Sequence, residues 1–209
     1  MSLASYLSYV AFAVVVIVAP GPDFALTVAN TLRAGRSGGL RTSLGIATSN
    51  TVQGTAAALG LGALIVRSEL AFNIIRWAGA AYLTYLGVRT VRSAWRGRYD
   101  ATSPDAGRSA TRRWLAYQQG FLSNITNPKV LTLYLSVLPQ FLAGHPTVSA
   151  ALLLAYTHAV LGLLWLIVLV TFLHRIRSWL RRRRVRRSLD GATGAAMLGF
   201  GARLAIETR

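Results

Sequence analysis

Residues 18–31 read VAPGPDFALTVANT, and residues 124–133 read NITNPKVLTL. Each is a helix breaker that carries a charge inside a long apolar run. The first interrupts a stretch from about Leu3 through Ala19 that resumes to Thr31. The second interrupts one from about Leu115 to Leu142. Pro20 and Pro22 each lack an N–H and disfavour a helical residue before them, and Gly21 adds freedom between them. Pro128 makes a similar break, flanked by Asn127, whose amide can satisfy freed backbone groups. In hydrocarbon every unmet backbone group costs several kcal/mol. Both breaks are therefore expected in the protein interior, facing each other or a wet cavity.

Four more apolar segments accompany these two: about Leu40 to Val66, Ala71 to Val91, Val148 to Leu173, and a short Gly-rich one from Ala192 to Ile206. A bilayer core of about 30 Å needs about 20 apolar residues per helix. The chain has 209 residues, 53% hydrophobic and only 14% charged. An ordinary soluble domain has about 25% charged residues, and helices apolar all round would need a covering layer that this chain lacks. Disorder is excluded by the hydrophobicity. The absence of cysteine excludes disulfides, thiol catalysis and thiolate metal sites. The expected fold class is an all-α membrane protein with six transmembrane helices, of which helices 1 and 4 are broken.

Charge placement orients it. Six acidic residues face 23 basic ones, 22 arginines and Lys129, for a net +17. Arg33, Arg36 and Arg41 lie between segments 1 and 2. Arg92, Arg96, Arg98, Arg108, Arg112 and Arg113 lie between 3 and 4. Arg175, Arg177, Arg181 to Arg184, Arg186 and Arg187 lie between 5 and 6. The alternate links hold Arg67 or nothing basic. Cytoplasmic loops collect Lys and Arg, so the odd links are expected inside and both termini outside. No cation precedes the first apolar run, which argues against a signal peptide. A pI near 11.7 would otherwise point to nucleic acid. The Arg181–Arg184 run follows a span directly, with Ile176, Trp179 and Leu180 interleaved, and fits anionic lipid headgroups better.

Residues 96–114 mix Gly, Ser, Thr, Pro and Asp without apolar periodicity and read as a flexible cytoplasmic linker. They divide the chain into a first three-helix repeat, 1–95, and a second, 115–209. Three is odd, so the halves are inverted. The first span of each half carries the interruption, and paired interrupted helices in inverted halves point to a transporter binding site.

The candidate binding residues are Asp23 and Lys129, with Pro20, Gly21, Pro22, Asn127 and Pro128 forming the breaks. Asp23 is the acid in the apolar part of a span; the other five lie in loops or near ends. A charge at mid-span costs about 2.5–3.5 kcal/mol on insertion scales, which mutual pairing or pairing with substrate offsets. A helix-start cap explains Asp23 more blandly, and a register anchor explains Lys129. Asn50 and Gln53 lie three apart on one face and suit cargo or interhelical hydrogen bonds. Tyr82 and Tyr85 share that spacing. Asn124 is read as support for the second break, and His158 as a packing residue before a proton relay. Ala56, Gly60, Ala195 and Gly199 suit close helix contact within one protomer or between two, so a homodimer stays open.

Catalytic readings fail on context. Gly35-Arg36-Ser37-Gly38-Gly39 matches G-x-S-x-G but lies in a basic link between membrane helices, without the strand and His partner of a nucleophile elbow. His145, His158 and His174 have no metal-ligand spacing. No enzyme activity, cofactor or metal is expected. A cation exporter or channel of related fold is the alternative; a channel would show rings of like charge or a filter motif.

With APGPD (Ala19 to Asp23), AGRSGGLRTSLGIATSN (Ala34 to Asn50), WAGAAYLTYLGVRTVR (Trp77 to Arg92) and GFLSNITNPKVLTLYLSVLPQF (Gly120 to Phe141) in this order, the chain resembles the LysE/RhtB family of amino-acid exporters, especially its homoserine/threonine branch. The tail GATGAAMLGFGARLA (Gly191 to Ala205) fits the last span. The resemblance implies a bacterial inner-membrane exporter of amino acids or close derivatives, driven by the proton gradient. An amino acid carries both charges close together. Lys129 and half-helix amides are expected to take its carboxylate, and Asp23 with freed carbonyls its ammonium. Asp23 is also the expected proton site, in an antiport cycle in which one half rocks against the other.

Overall fold

The computed structural model describes residues 2–60, 106–142, 147–176 and 183–206, with 77, 80–82, 84–88, 91–92 and 95. The described residues are helical wherever they are regular. We number the helices α1 (Leu3–Val18), α2 (Pro22–Ala58), α3 (Ala106–Ile125), α4 (Pro128–Thr132), α5 (Leu138–Phe141), α6 (Val148–Arg175) and α7 (Arg183–Ile206). A π turn, Leu133–Val137, joins α4 to α5. Most of the expected third span, residues 96–105 and Arg177 to Arg182 lie outside the described residues.

Both expected breaks are present. The chain bends by 52° between α1 and α2, and α3 stops at Ile125 before α4 starts at Pro128. The expected gap between the first two spans closes to a single residue. Gly35 alone leaves helical geometry, at φ 69° and ψ −163°, a left-handed conformation that glycine adopts without a Cβ penalty. The two arms of α2 fold back on each other around it. A Cβ on Gly38 would lie 2.8 Å from the Asn30 carbonyl, and one on Gly39 would overlap the Thr31 hydroxyl. Asn30 Nδ2 donates across the arms to Thr42 Oγ1 at 2.9 Å and to Gln119 Oε1 of α3 at 2.9 Å. The G-x-S-x-G match sits at this reversal.

Two helices start earlier than the apolar pattern suggests. α3 begins at Ala106, so residues 106–114 are helix rather than irregular linker. Ala and Arg are good helix formers, and beyond Gly107 neither Gly nor Pro interrupts them before Gly120. Likewise α7 begins within the arginine run at Arg183 rather than at Ala192.

α6 is long and apolar enough to cross a membrane, as is the bent pair α1 and α2. α6 buries Leu154, Ala155, Ala159, Leu166 and Val170 on one side, while Val160, Leu164, Val168 and Phe172 stay exposed. Apolar residues on both faces are the mark of a helix set in lipid. One core cluster joins α1 (Tyr9, Ala13), the α4–α5 segment (Val130, Leu133, Tyr134, Leu138) and the first half of α6 (Ala151, Leu154, Ala155). A second joins the α2 arms (Val28, Ile46) to the second half of α6 (Leu166, Leu169, Leu173). A third sets Leu86 and Met197 against Ala25, Leu26 and Ala29, with Tyr82 packed on it. Tyr85 is exposed.

The tightest helix crossing among the described residues uses small residues that spacing alone did not single out. Among the described residues nothing lies within 4 Å of a Cβ built on Gly60 or Gly199, and Ala195 is exposed. Instead α2 and α3 cross at Gly45 and Gly120. A Cβ on Gly45 would run into the Tyr117 carbonyl, and one on Gly120 into the Thr42 carbonyl. Gly54 presses on Ala155 and Tyr134 in the same way. In a lone helix Gly→Ala is favourable by about 1 kcal/mol. At this crossing the added methyl meets backbone that cannot step aside, so Gly45→Ala and Gly120→Ala are expected to destabilise by about 1–3 kcal/mol. Gly191→Ala, with nothing among the described residues within 4 Å of its Cβ, is expected to be neutral or stabilising. Thermal unfolding in detergent checks the opposite signs; equal stability of all three would mean that the crossing is not tight.

Candidate functional site

The two breaks meet, and they exchange polar groups. Gly21, extended at φ −155° and ψ −174°, precedes Pro22 at the first position of α2, with Asp23 in the first turn. The Asp23 carboxylate does not cap its own helix. Its Oδ2 accepts from Asn124 Nδ2 at 2.9 Å and from Asn127 Nδ2 at 3.0 Å, and its Oδ1 receives a longer 3.5 Å contact from Ser123 Oγ. All three donors belong to the end of α3 and the second break.

Asn127 has two tasks. While its Nδ2 holds Asp23, its Oδ1 accepts from the Lys129 N–H at 3.1 Å and so caps α4. The Lys129 ammonium reaches the other way. Its Nζ donates to the Ala19 carbonyl at 2.8 Å, at the C-terminal end of α1, where helix carbonyls have no partner of their own. The lysine stem lies over Gly21, where a Cβ would stand 3.8 Å from Nζ. The first break thus supplies a carboxylate to the second, and the second supplies an ammonium to the first.

Asp23 and Lys129 line one hollow, and neither takes the other as its hydrogen-bond partner. Of the two offsets the sequence allows, mutual pairing and pairing with substrate, the first is not made among the described residues: neutral amides meet the acid and a backbone carbonyl meets the base. The hollow holds about 540 Å³ of empty space, its open side included, and lies between the first and second core clusters. Gly21, Asn50, Asn124 and Asn127 contribute polar or open wall; Ile46, Val130, Leu133 and Leu166 contribute apolar wall.

The remaining sequence candidates separate. Asn50 lines the hollow and is buried, but Gln53 does not. Gln53 Nε2 turns to α3 and donates to the Asn124 carbonyl at 3.1 Å and to Asn124 Oδ1 at 3.0 Å. It steadies the residue that holds Asp23, one step back from any cargo. Pro20 is exposed and Pro22 buried; with Pro128, at the first position of α4, they act through backbone geometry. Asn124 supports the break as expected, and does so by touching Asp23 itself.

His158 and Trp165 are the residues that sequence reasoning undervalued. Both line the hollow from α6. His158 packs edge-on against Tyr134, with ring centroids 5.6 Å apart, but it is not the satisfied packing residue expected: its Nδ1 has no partner among the described residues, and the ring borders the hollow. The signal was available: His158, Gly162, Trp165 and Leu166 follow the i, i+4, i+7, i+8 spacing of one helical face. It was hidden because α6 is apolar on every side.

Known proteins resemble this chain along almost all of its length. The family model described as LysE type translocator matches residues 14–208. The uncharacterized membrane protein YrhP of Bacillus subtilis is 32% identical over 208 residues, covering 97% of this chain and 99% of its own. The homoserine/homoserine lactone efflux protein of Salmonella typhimurium is 28% identical over 206 residues, covering 98% of each. No solved structure matches. The resemblance read from PGPD and NPK therefore extends along almost the whole chain, and the chain belongs to the LysE type translocators, membrane transporters of small molecules and not enzymes.

Proposed function

We propose that this translocator is a secondary active exporter of amino acids or close derivatives across the bacterial inner membrane, driven by proton antiport through alternating access. The reading takes six spans in two inverted three-helix repeats, each opened by a broken helix. Its arginine-rich links face the cytoplasm and anionic headgroups, and both termini lie outside.

One observation carries the reading: a carboxylate and an ammonium, one from each broken helix, line a single hollow without being spent on each other. A zwitterion is the complement of such a site. Lys129 uses one proton on Ala19, and an ammonium has three to give, so two remain for a substrate carboxylate. The α2 and α4 N-termini add their dipole ends to that side of the chemistry. On Asp23, Oδ2 is taken by two amides while Oδ1 has only the long Ser123 contact. That oxygen is free to accept from a substrate ammonium. When the ammonium leaves outward, the same carboxylate takes up a proton from outside and carries it back. The Salmonella relative, named for efflux of homoserine and homoserine lactone, supports a cargo of this kind.

Inverted vesicles loaded with the purified chain, a collapsible pH gradient and labelled L-homoserine test the reading. Wild type is expected to accumulate label only while the gradient stands. Asp23→Asn is expected to abolish gradient-driven accumulation; full accumulation by that variant would remove the proton role. Lys129→Gln is expected to weaken homoserine transport roughly 10- to 100-fold, the worth of a hydrogen bond to a charged group. Homoserine lactone has an ammonium but no carboxylate, so its transport is expected to fall much less. Equal losses for both cargoes would mean that Lys129 does not read the carboxylate.

A further inference from the structure

The hollow contains a second set of polar side chains that the charged pair leaves unused. Asn50, from the second arm of α2, and His158, from α6, are each only 4% exposed. Asn50 Oδ1, His158 Nδ1 and Trp165 Nε1 are all buried without a hydrogen-bond partner among the described residues. All three residues line the hollow. Gly162 keeps the space beside them open, since a Cβ there would stand 3.7 Å from Asn50 Nδ2. The edge-on contact with Tyr134 fixes the His158 ring. A buried polar atom left unpaired is costly, and a native protein that keeps three of them at one wall has a reason for each.

The donor and acceptor inventory says what would satisfy them. Asn50 Oδ1 only accepts, Trp165 Nε1 only donates, and the imidazole Nδ1 does one or the other according to its tautomer. An ammonium would answer Asn50 and leave Trp165 unpaired. A carboxylate would answer Trp165 and leave Asn50 unpaired. A neutral group that both donates and accepts answers both. We propose that Asn50, His158 and Trp165 form a specificity subsite for an uncharged hydrogen-bonding group, a hydroxyl or a carboxamide, on the substrate side chain. The proposal rests on the amino-acid reading above and adds to it the class of side chain.

A site built to hydrogen-bond a substrate group rejects the analogue that lacks it, because its own polar atoms are then stranded. The test uses the same vesicles with L-homoserine, L-asparagine and the apolar L-2-aminobutyrate. Wild type is expected to prefer at least one polar amino acid over L-2-aminobutyrate by roughly tenfold or more in kcat/KM; which one wins distinguishes hydroxyl from carboxamide. Asn50→Leu, His158→Phe and Trp165→Phe are expected to shrink that preference several-fold while L-2-aminobutyrate still moves. Wild-type transport without preference overturns the subsite alone, whatever the variants do. A preference unchanged in the variants overturns it too. Wild-type vesicles that move none of the three overturn the amino-acid reading and the subsite with it.

Discussion

Everything in the fold depends on two broken helices repairing each other. A break inside hydrocarbon strands backbone groups at a cost of several kcal/mol each, so neither PGPD nor NPK is tolerable alone. Here the first break offers Asp23 to Asn124 and Asn127, and the second offers Lys129 to the Ala19 carbonyl. Asn127 caps α4 with the other end of the amide that holds Asp23. The charges are therefore part of the repair. Because each is met by a neutral group, neither is neutralised by its opposite, and both keep capacity for a further partner.

That repair demands accurate placement, which the glycines provide. Gly35 reverses α2 within one residue and brings Ile46 and Asn50 to the hollow beside Asp23 and Phe24. The Gly45–Gly120 crossing sets α3 hard against the second arm. From there Asn124 takes Gln53 on one side and Asp23 on the other. A path of polar contacts thus runs from the body of α2, through the end of α3, to the site.

The paired breaks were legible because proline, glycine and lone charges are conspicuous in apolar sequence, and because their meeting follows from the cost of leaving either unmet. The apolar run from Val148 was legible by length, and α6 runs Val148–Arg175. Other features were not. Whether Gly35 marks a loop or a one-residue reversal depends on which carbonyls Gly38 and Gly39 approach, a tertiary fact. Residues 106–114 look like a linker because their composition is polar, yet backbone hydrogen bonding continues through them. Asn50 and Gln53 share a face by spacing, but a helix pinned between neighbours divides even that face: Asn50 turns to the hollow and Gln53 to α3. Spacing alone did not single out the Gly45–Gly120 crossing, because close approach is decided by the partner helix.

The position of the hollow also bears on how such a site could change access. α6 is one unbroken helix that belongs to both large core clusters, its first half packed with α1 and the α4–α5 segment and its second half with the α2 arms. The hollow opens where those clusters part, at His158, Gly162 and Trp165. Facing it, the chain after the second break is divided into α4, a π turn and α5, and π turns within helices are frequent at functional sites. The exchanged contacts, Asp23 with Asn127 and Lys129 with Ala19, run between α2 and α4 and between α4 and α1. The first contact ties the two clusters together, and the second stays within the cluster that α1 shares with the α4–α5 segment. A ligand shifts a conformational equilibrium only by its differential affinity for the two states. Under the function proposed above, cargo held at Asp23 would act on that tie directly, and occupancy would be coupled to the relative placement of the two clusters.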